Sequence, residues 1–207
     1  KSLHQTLKSL DGLKLDCDSA VLEIFIDRNK DGELHEETVR VAESFVWGQG
    51  AVQVHLQEKH VGIYGQWIDS WQPPEDNGSD ELAIIIEDDI NISPFAYRWL
   101  RRTHNRFGAK PFISGYCLQD ENIPVVRGKK KGQLVNVVNR QLLRQYPAYY
   151  YRVAGSWAFA PHPKRWKEFQ QWFHNQTEVT HPYVAAAALN TGWYKHFEKK
   201  HTEDSMW

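Results

Sequence analysis

Cysteine is scarce in this chain of 207 residues: Cys17 and Cys117 are the only two. That excludes a disulfide framework and a cysteine-based zinc site. One bridge or two free thiols remain open. An excess of charge of one sign is also missing. Lys and Arg number 25 against 26 Asp and Glu, for a net charge of -1. Bulk attraction to nucleic acid or to an anionic membrane is therefore not expected. No run approaches the ~18 apolar residues of a membrane-spanning helix, and no signal peptide is visible. Internal repeats and low-complexity tracts are absent as well. The first residue is Lys rather than Met, and both ends fall inside what look like structural elements. The chain thus reads as a piece of a longer protein. Aromatics are plentiful, with nine Trp, nine Tyr and nine Phe. These serve large apolar cores and sugar-stacking surfaces equally well.

The most informative stretch is Ile84-Ile85-Ile86-Glu87-Asp88-Asp89. A β-branched apolar run predicts a fully buried strand, here residues 82–86, with the acids at its carboxyl edge. Ligands of open α/β sheets bind at that edge. Carboxylates this close repel one another unless a cation or hydrogen bonds offset them. A strand followed by a solvated acidic turn is the plainer reading. The immediate start of the next element favours a divalent-metal site.

Other elements follow from periodicity. Leu3, Leu7 and Leu10 share a helical face that Gly12 ends. Residues 21–26 form a strand closing on Asp27. Thr38, Val41, Ala42, Phe45 and Val46 repeat at helical spacing, with Gly48 as the stop. Residues 52–56 form a second strand. A long connection carries Gly62, Gly65, Trp67 and Trp71. Ser93-Pro94 predicts a capped helix start, with Ala96, Trp99, Leu100, Thr103 and Phe107 inward. Residues 112–118 and part of 149–160 read as strands. Trp166, Phe169 and Phe173 mark a further helix, and Pro182 opens one more. Strands alternating with helices predict an α/β fold with a largely parallel sheet.

Asp27-Arg28-Asn29-Lys30-Asp31-Gly32 through Glu37 imitates a calcium loop. The twelfth position is Thr38 rather than the bidentate Glu an EF-hand needs. The preceding residues alternate as a strand, where an EF-hand has a helix. A strand-to-helix turn at Asp31-Gly32 is the better reading, with Asp27 at the same sheet edge as Asp88 and Asp89.

Two acids at two strand ends, the second in an Ile-Ile-Ile-Glu-Asp-Asp context, resemble the nucleotide-diphosphosugar glycosyltransferases of the GT-A fold. The resemblance is nearest to inverting N-acetylglucosaminyltransferases of N-glycan branching and O-mannose glycans, and looser to family-two transferases. It covers nearly all of residues 1–207 as one catalytic domain, truncated at both ends, with the first strand before Lys1. It implies a Rossmann-like, mostly parallel sheet with helices on both faces. Carried over by position, Asp27 matches the acid that contacts the uracil or its ribose. Glu87 and Asp88 match acids that contact ribose or metal-bound water, and Asp88 is a second metal candidate. Asp89 matches the direct ligand of Mn²⁺ or Mg²⁺. Gly65, within Gly62-Ile63-Tyr64-Gly65-Gln66-Trp67, matches the turn that approaches the nucleotide, and Gly155 a donor-side or acceptor-side segment. Asp204, with Glu203 second, matches the catalytic base. His162, His181 and His201 do not match the family's metal or diphosphate histidine by position.

The implied reaction is transfer of a sugar from a nucleotide diphosphate, a UDP-sugar such as UDP-GlcNAc, to a hydroxyl of a glycan or other acceptor with inversion. A Golgi-lumen location comes with the same resemblance. Asn77-Gly78-Ser79, Asn91-Ile92-Ser93 and Asn175-Gln176-Thr177 are glycosylation sequons. The basic run Arg127-Gly128-Lys129-Lys130-Lys131 reads as a solvated loop or as one closing over a diphosphate. Trp67, Trp71 and Trp157 are sugar-stacking candidates, while Trp99, Trp166 and Phe169 read as core. Two other classes stay in view: a calcium-binding module on Asp27 to Glu37, and a catalytically silent relative that binds carbohydrate or a partner.

Overall fold

The computed structural model describes residues 2–75, 80–118, 125–127, 134–136, 150, 155 and 157–175. The chain divides into two compact units, one of Lys1–Leu118 with Ser156–Phe173, the other of Gln119–Gly155 with His174–Trp207. The elements are mixed α and β. In order they are α1 (Ser2–Asp11), β1 (Val21–Ile26), α2 (Glu36–Glu43), β2 (Ala51–Leu56), α3 (Gly62–Ile68), α4 (Ala96–Phe107), β3 (Gly115–Cys117), β4 (Val125–Arg127), β5 (Leu134–Asn136), β6 (Phe159–Pro161) and α5 (Pro163–His174).

In the first unit, β1 and β2 run parallel with Val21 opposite Ala51 and Ile26 opposite Leu56. The α2 crossover between them is the βα unit the alternation predicts. Parallelism does not extend further among the described residues. β3 pairs antiparallel with β6, and in the second unit β4 pairs antiparallel with β5. The expectation of a largely parallel sheet is corrected to small sheets of both kinds. The expected strand over residues 82–86 is one bridge: Ile85 N–H donates to the Phe159 carbonyl at 2.8 Å, and Phe159 N–H donates back at 3.0 Å. Ile84, Ile85 and Ile86 are half-buried, where the sequence predicts full burial.

The main core joins Leu7 and Leu10 of α1, Leu13 and Leu15 after it, Ile24 and Ile26 of β1, and Ala42 and Trp47. Each such leucine or isoleucine withdrawn from water stabilises the fold by about 1.5–3 kcal/mol. A second cluster gathers Leu100, Ile113, Tyr116 and Ala160, and a third Trp71, Phe159 and Trp166. Cys17 and Cys117 form no disulfide. No helix among the described residues is long and apolar enough to cross a membrane.

Several boundaries move. α2 ends at Glu43, and Val46, expected on its inner face, is 84% exposed. The helix starts earlier because His35 caps it: its Nδ1 accepts the Thr38 N–H at 3.3 Å. α4 starts at Ala96, after a turn in which Ser93 Oγ accepts the Phe95 N–H at 3.3 Å. The strand predicted over 112–118 shortens to Gly115–Cys117, and Phe112 is exposed. Of the late strand expected within 149–160, residues 159–161 form β6. The helix expected from Pro182 lies outside the described residues.

Candidate functional site

Asp27 ends β1, and its carboxylate is fully engaged by its own chain. Oδ1 accepts the N–H of Arg28 and of Val61, each at 2.9 Å. Oδ2 accepts the Gly62 N–H at 2.9 Å and has His60 Nδ1 at 3.0 Å. That His60 nitrogen also donates to the Arg28 carbonyl at 2.6 Å. Asp27 is thus the N-terminal cap of α3, reached across 34 residues of sequence. Burial pushes its acidity one way and the three backbone N–H groups with His60 outweigh it, so it stays below the ordinary aspartate range.

The glycine-bearing segment expected as a turn is α3 itself. Gly62 opens it with φ 64°, a left-handed conformation that costs least at glycine. Gly65 stands inside the helix, where a Cβ would lie 2.7 Å from Val61 Cβ. Its hydrogen therefore serves packing of the first turn. Gln66 of this helix accepts from Gln57 Nε2 at 3.2 Å, which ties α3 to the end of β2.

The acids after Ile86 form a turn, with Ile90 N–H donating to the Glu87 carbonyl at 3.2 Å. α1 holds this turn through hydroxyls. Ser2 Oγ donates to Asp88 Oδ2 at 3.1 Å, Thr6 Oγ1 to the Asp88 carbonyl at 2.7 Å, and Ser9 Oγ accepts the Ile92 N–H at 3.0 Å. Ser2, Thr6 and Ser9 stand at i, i+4 and i+7, one helical stripe. That spacing is the signal sequence reasoning missed.

Glu87 differs from its neighbours. Asp88 and Asp89 are exposed, whereas Glu87 is half-buried. Its Oε1 is a buried atom without a hydrogen-bond partner. Burial first, then the charge of Asp89, push its carboxyl above the ordinary glutamate range. The Trp67 indole N–H bond pulls the other way, and Asp88 adds to the rise.

Asp27, Glu87, Asp88 and Asp89 all line one cavity of about 1280 Å³, with Trp67 and Gln66 of α3 between the two acid-bearing segments in its wall. Among the described residues, no group of three or more His, Cys, Asp or Glu side chains is arranged to hold a metal ion. Mg²⁺ and Mn²⁺ ask for fewer: one or two carboxylates, with waters and substrate phosphates completing the shell. The unpartnered Glu87 oxygen beside two exposed carboxylates fits that demand.

The remaining predicted residues divide as follows. Asp204, Glu203, His181, His201 and Gly128 to Lys131 lie outside the described residues. Gly155 is buried. Trp71 is core, its Nε1 donating to Glu81 Oε1 at 2.9 Å. Trp67 borders the cavity, and Trp157 is half exposed. Trp166 is buried as expected, but Phe169, on α5, is exposed. His162 Nε2 donates to the Gly108 carbonyl, 3.0 Å away, far in sequence from the acids.

The calcium-loop lookalike is a self-satisfied turn. Asn29 Oδ1 accepts the N–H groups of Asp31 at 3.0 Å and Glu33 at 2.8 Å. Gly32 takes φ 82°, and Arg28 Nη1 donates to its carbonyl at 2.8 Å. A strand, β1, precedes the loop where an EF-hand carries a helix. Comparison with known protein families, curated proteins and solved structures found no significant match.

Proposed function

We infer that this chain is the nucleotide-binding part of a metal-dependent glycosyltransferase that uses a UDP-sugar. One observation carries the reading: acids from two segment ends, Asp27 and Glu87-Asp88-Asp89, line the same cavity. The GT-A fold and the N-acetylglucosaminyltransferase likeness are part of this proposal, supported by the parallel β1–β2 pair with Asp27 at its carboxyl end.

Asp89, with Asp88, would hold Mn²⁺ or Mg²⁺. The cation supplies Lewis-acid stabilisation of negative charge on a departing diphosphate. Glu87, whose Oε1 has no partner, accepts a ribose hydroxyl or a water in the same shell. Asp27 fixes the first turn of α3 and so the wall on which the nucleoside rests. Trp67 offers that wall an apolar ring held by its bond to Glu87. Asp204, or Glu203, takes the proton of the acceptor hydroxyl; a positioned base of this kind contributes about 10²–10⁴ in rate.

Calorimetry with Mn²⁺ and UDP tests the reading. Mn²⁺-dependent UDP binding should weaken about tenfold or more in Asp89→Asn, as loss of a metal-ligating carboxylate predicts. Binding that needs no metal and ignores the substitution would remove the assigned site. Asp31→Ala should leave UDP binding unchanged.

A further inference from the structure

Two histidines that take no part in the acid site meet where α4 ends. His104 lies in the last turn of α4 and His162 directly before α5, with ring centroids 5.4 Å apart. Each ring is held by one nitrogen. Tyr116 of β3 is buried with Leu100, Ile113 and Ala160, and its hydroxyl meets His104 Nδ1 at 3.1 Å. Burial pushes this phenol up to about 12, so it carries its proton. The hydroxyl donates, Nδ1 accepts, and the proton of the neutral His104 ring sits on Nε2. His162 Nε2 donates to the carbonyl of Gly108, the C-cap of α4, at 3.0 Å. His162 Nδ1 is then a bare acceptor, and it is a buried atom without a hydrogen-bond partner among the described residues.

The backbone of His162 is pinned too. Its N–H donates to the Ser114 carbonyl at 2.9 Å, and its carbonyl accepts the Trp166 N–H at 2.8 Å. The pair therefore ties the end of α4, the approach to β3 and the first turn of α5 at one point. The His104 ring is packed against the cap itself: a Cβ at Gly108 would lie 3.0 Å from its Cε1.

Both rings suit this place as neutral imidazoles. A proton added to His104 goes to Nδ1, which turns the phenol from donor to acceptor. The phenol's own proton then has no acceptor among the described residues. A proton added to His162 goes to Nδ1, which has no acceptor either. Buried donors left unpaired weaken a fold. The charged neighbours give little relief. Arg101 of α4 and the ring of His162 repel a cation at His104. Asp80 attracts one, but its side chain is 91% exposed and pairs with Arg101 at 3.5 Å. The carbonyl end of α4 also favours a cation. Burial first, then His162 and Arg101, prevail, and His104 is held below the ordinary histidine value.

We propose that His104 and His162 form an acid-operated latch: while both are neutral they fasten the end of α4 to the β3–β6 pair, and a proton taken up by the two rings loosens that joint ahead of the rest of the unit. Packing sets its reach. Leu100, one turn before His104, shares its cluster with Tyr116, Ile113 and Ala160, and Leu82 and Ile84 pack on it. Because His104 is lowered in the folded state, its stabilisation is present above the ordinary histidine value and fades as pH falls from there through the folded one. The latch is independent of what the acid site binds.

Amide exchange of the whole chain between about pH 7.5 and about pH 5, the range in which histidines change charge, is the test. Rates are corrected for the intrinsic pH dependence of exchange, and the imidazoles of His104 and His162 are followed by NMR. Acidification should speed the amides of Gly108, His162 and Trp166 about tenfold or more, while those of Ile24 and Ala42 change less than about twofold. The change should track the titration of His104, below the ordinary histidine value. His104→Gln keeps an acceptor for Tyr116 but takes no proton, so the three amides should stay level across the same range. The proposal is overturned if they lose protection in step with Ile24 and Ala42, or if they stay level in the unaltered protein. Both of those outcomes are read without any substitution. A full acid response in His104→Gln overturns it equally.

Discussion

Asp27 and Glu87 both follow an apolar segment and both face one cavity, yet the chain treats them oppositely. Asp27 has a backbone N–H or a histidine nitrogen at each acceptor position. Glu87 keeps a buried oxygen with no partner and two like charges beside it. The first carboxylate is held low and the second pushed high. A carboxylate whose acceptor positions are all filled by its own chain is fold machinery. One that is buried, crowded by acids and incompletely bonded gains most from a cation or a donor hydroxyl. The motif looks symmetrical in sequence; the duties are divided.

Substitutions can break either end of that comparison separately. The largest effect is expected at Gly115, where a Cβ would stand 2.4 Å from Phe159 Cζ and 2.9 Å from the Ala160 carbonyl oxygen. Gly115→Ala should cost about 1–3 kcal/mol in urea unfolding and speed exchange of the Ile85 amide, because Phe159 carries the bridge to Ile85. The Asp27 end should be unmoved. Next comes Asp27→Ala, which removes the cap of α3 and should cost about 1–2 kcal/mol. Faster exchange at Val61 and Gly62, with Ile85 unchanged, would mark the damage as local. The smallest effect is expected for Glu87→Gln: a stabilisation of at most about 0.5 kcal/mol, together with weakened Mn²⁺–UDP binding.

The pH dependences should have opposite signs. Asp27 is lowered in the folded state, so its stabilisation is present above its unfolded value and disappears as pH falls through the folded one. The stability gap between wild type and Asp27→Ala should therefore close in acid, below the ordinary aspartate range. Glu87 is raised, so its ionised form weakens the fold above its folded value. That penalty lifts as pH falls through the folded value towards the ordinary glutamate range. The small advantage of Glu87→Gln should accordingly exist near neutrality and vanish on mild acidification. Unfolding curves of the three proteins across pH check both signs.

Local patterns in the sequence predict β1, β2, α1 and α5, because each is written in the spacing of its own apolar residues. Leu7 and Leu10 bury as their helical stripe requires, and Asp31-Gly32 turns as expected. α3 escapes such reading because its cap, Asp27, lies at the end of another strand, and two glycines in seven residues look like a turn. Ile84-Ile85-Ile86 shows strand propensity but not which edges it meets; its single bridge to Phe159 is a contact over 74 residues of sequence. At the site, the acids themselves were legible. Their unequal surroundings were not, since these depend on Val61, Gly62 and Trp67 arriving from α3 and on Ser2 and Thr6 arriving from α1.

The division of duties is most directly tested by carboxyl NMR of Asp27 and Glu87 across pH, without ligand and with Mg²⁺ and UDP. Asp27 should titrate below the ordinary aspartate range in both conditions. Glu87 should titrate above the ordinary glutamate range alone and fall when Mg²⁺ and UDP are added. A ligand-driven shift at Asp27 with none at Glu87 would contradict the account.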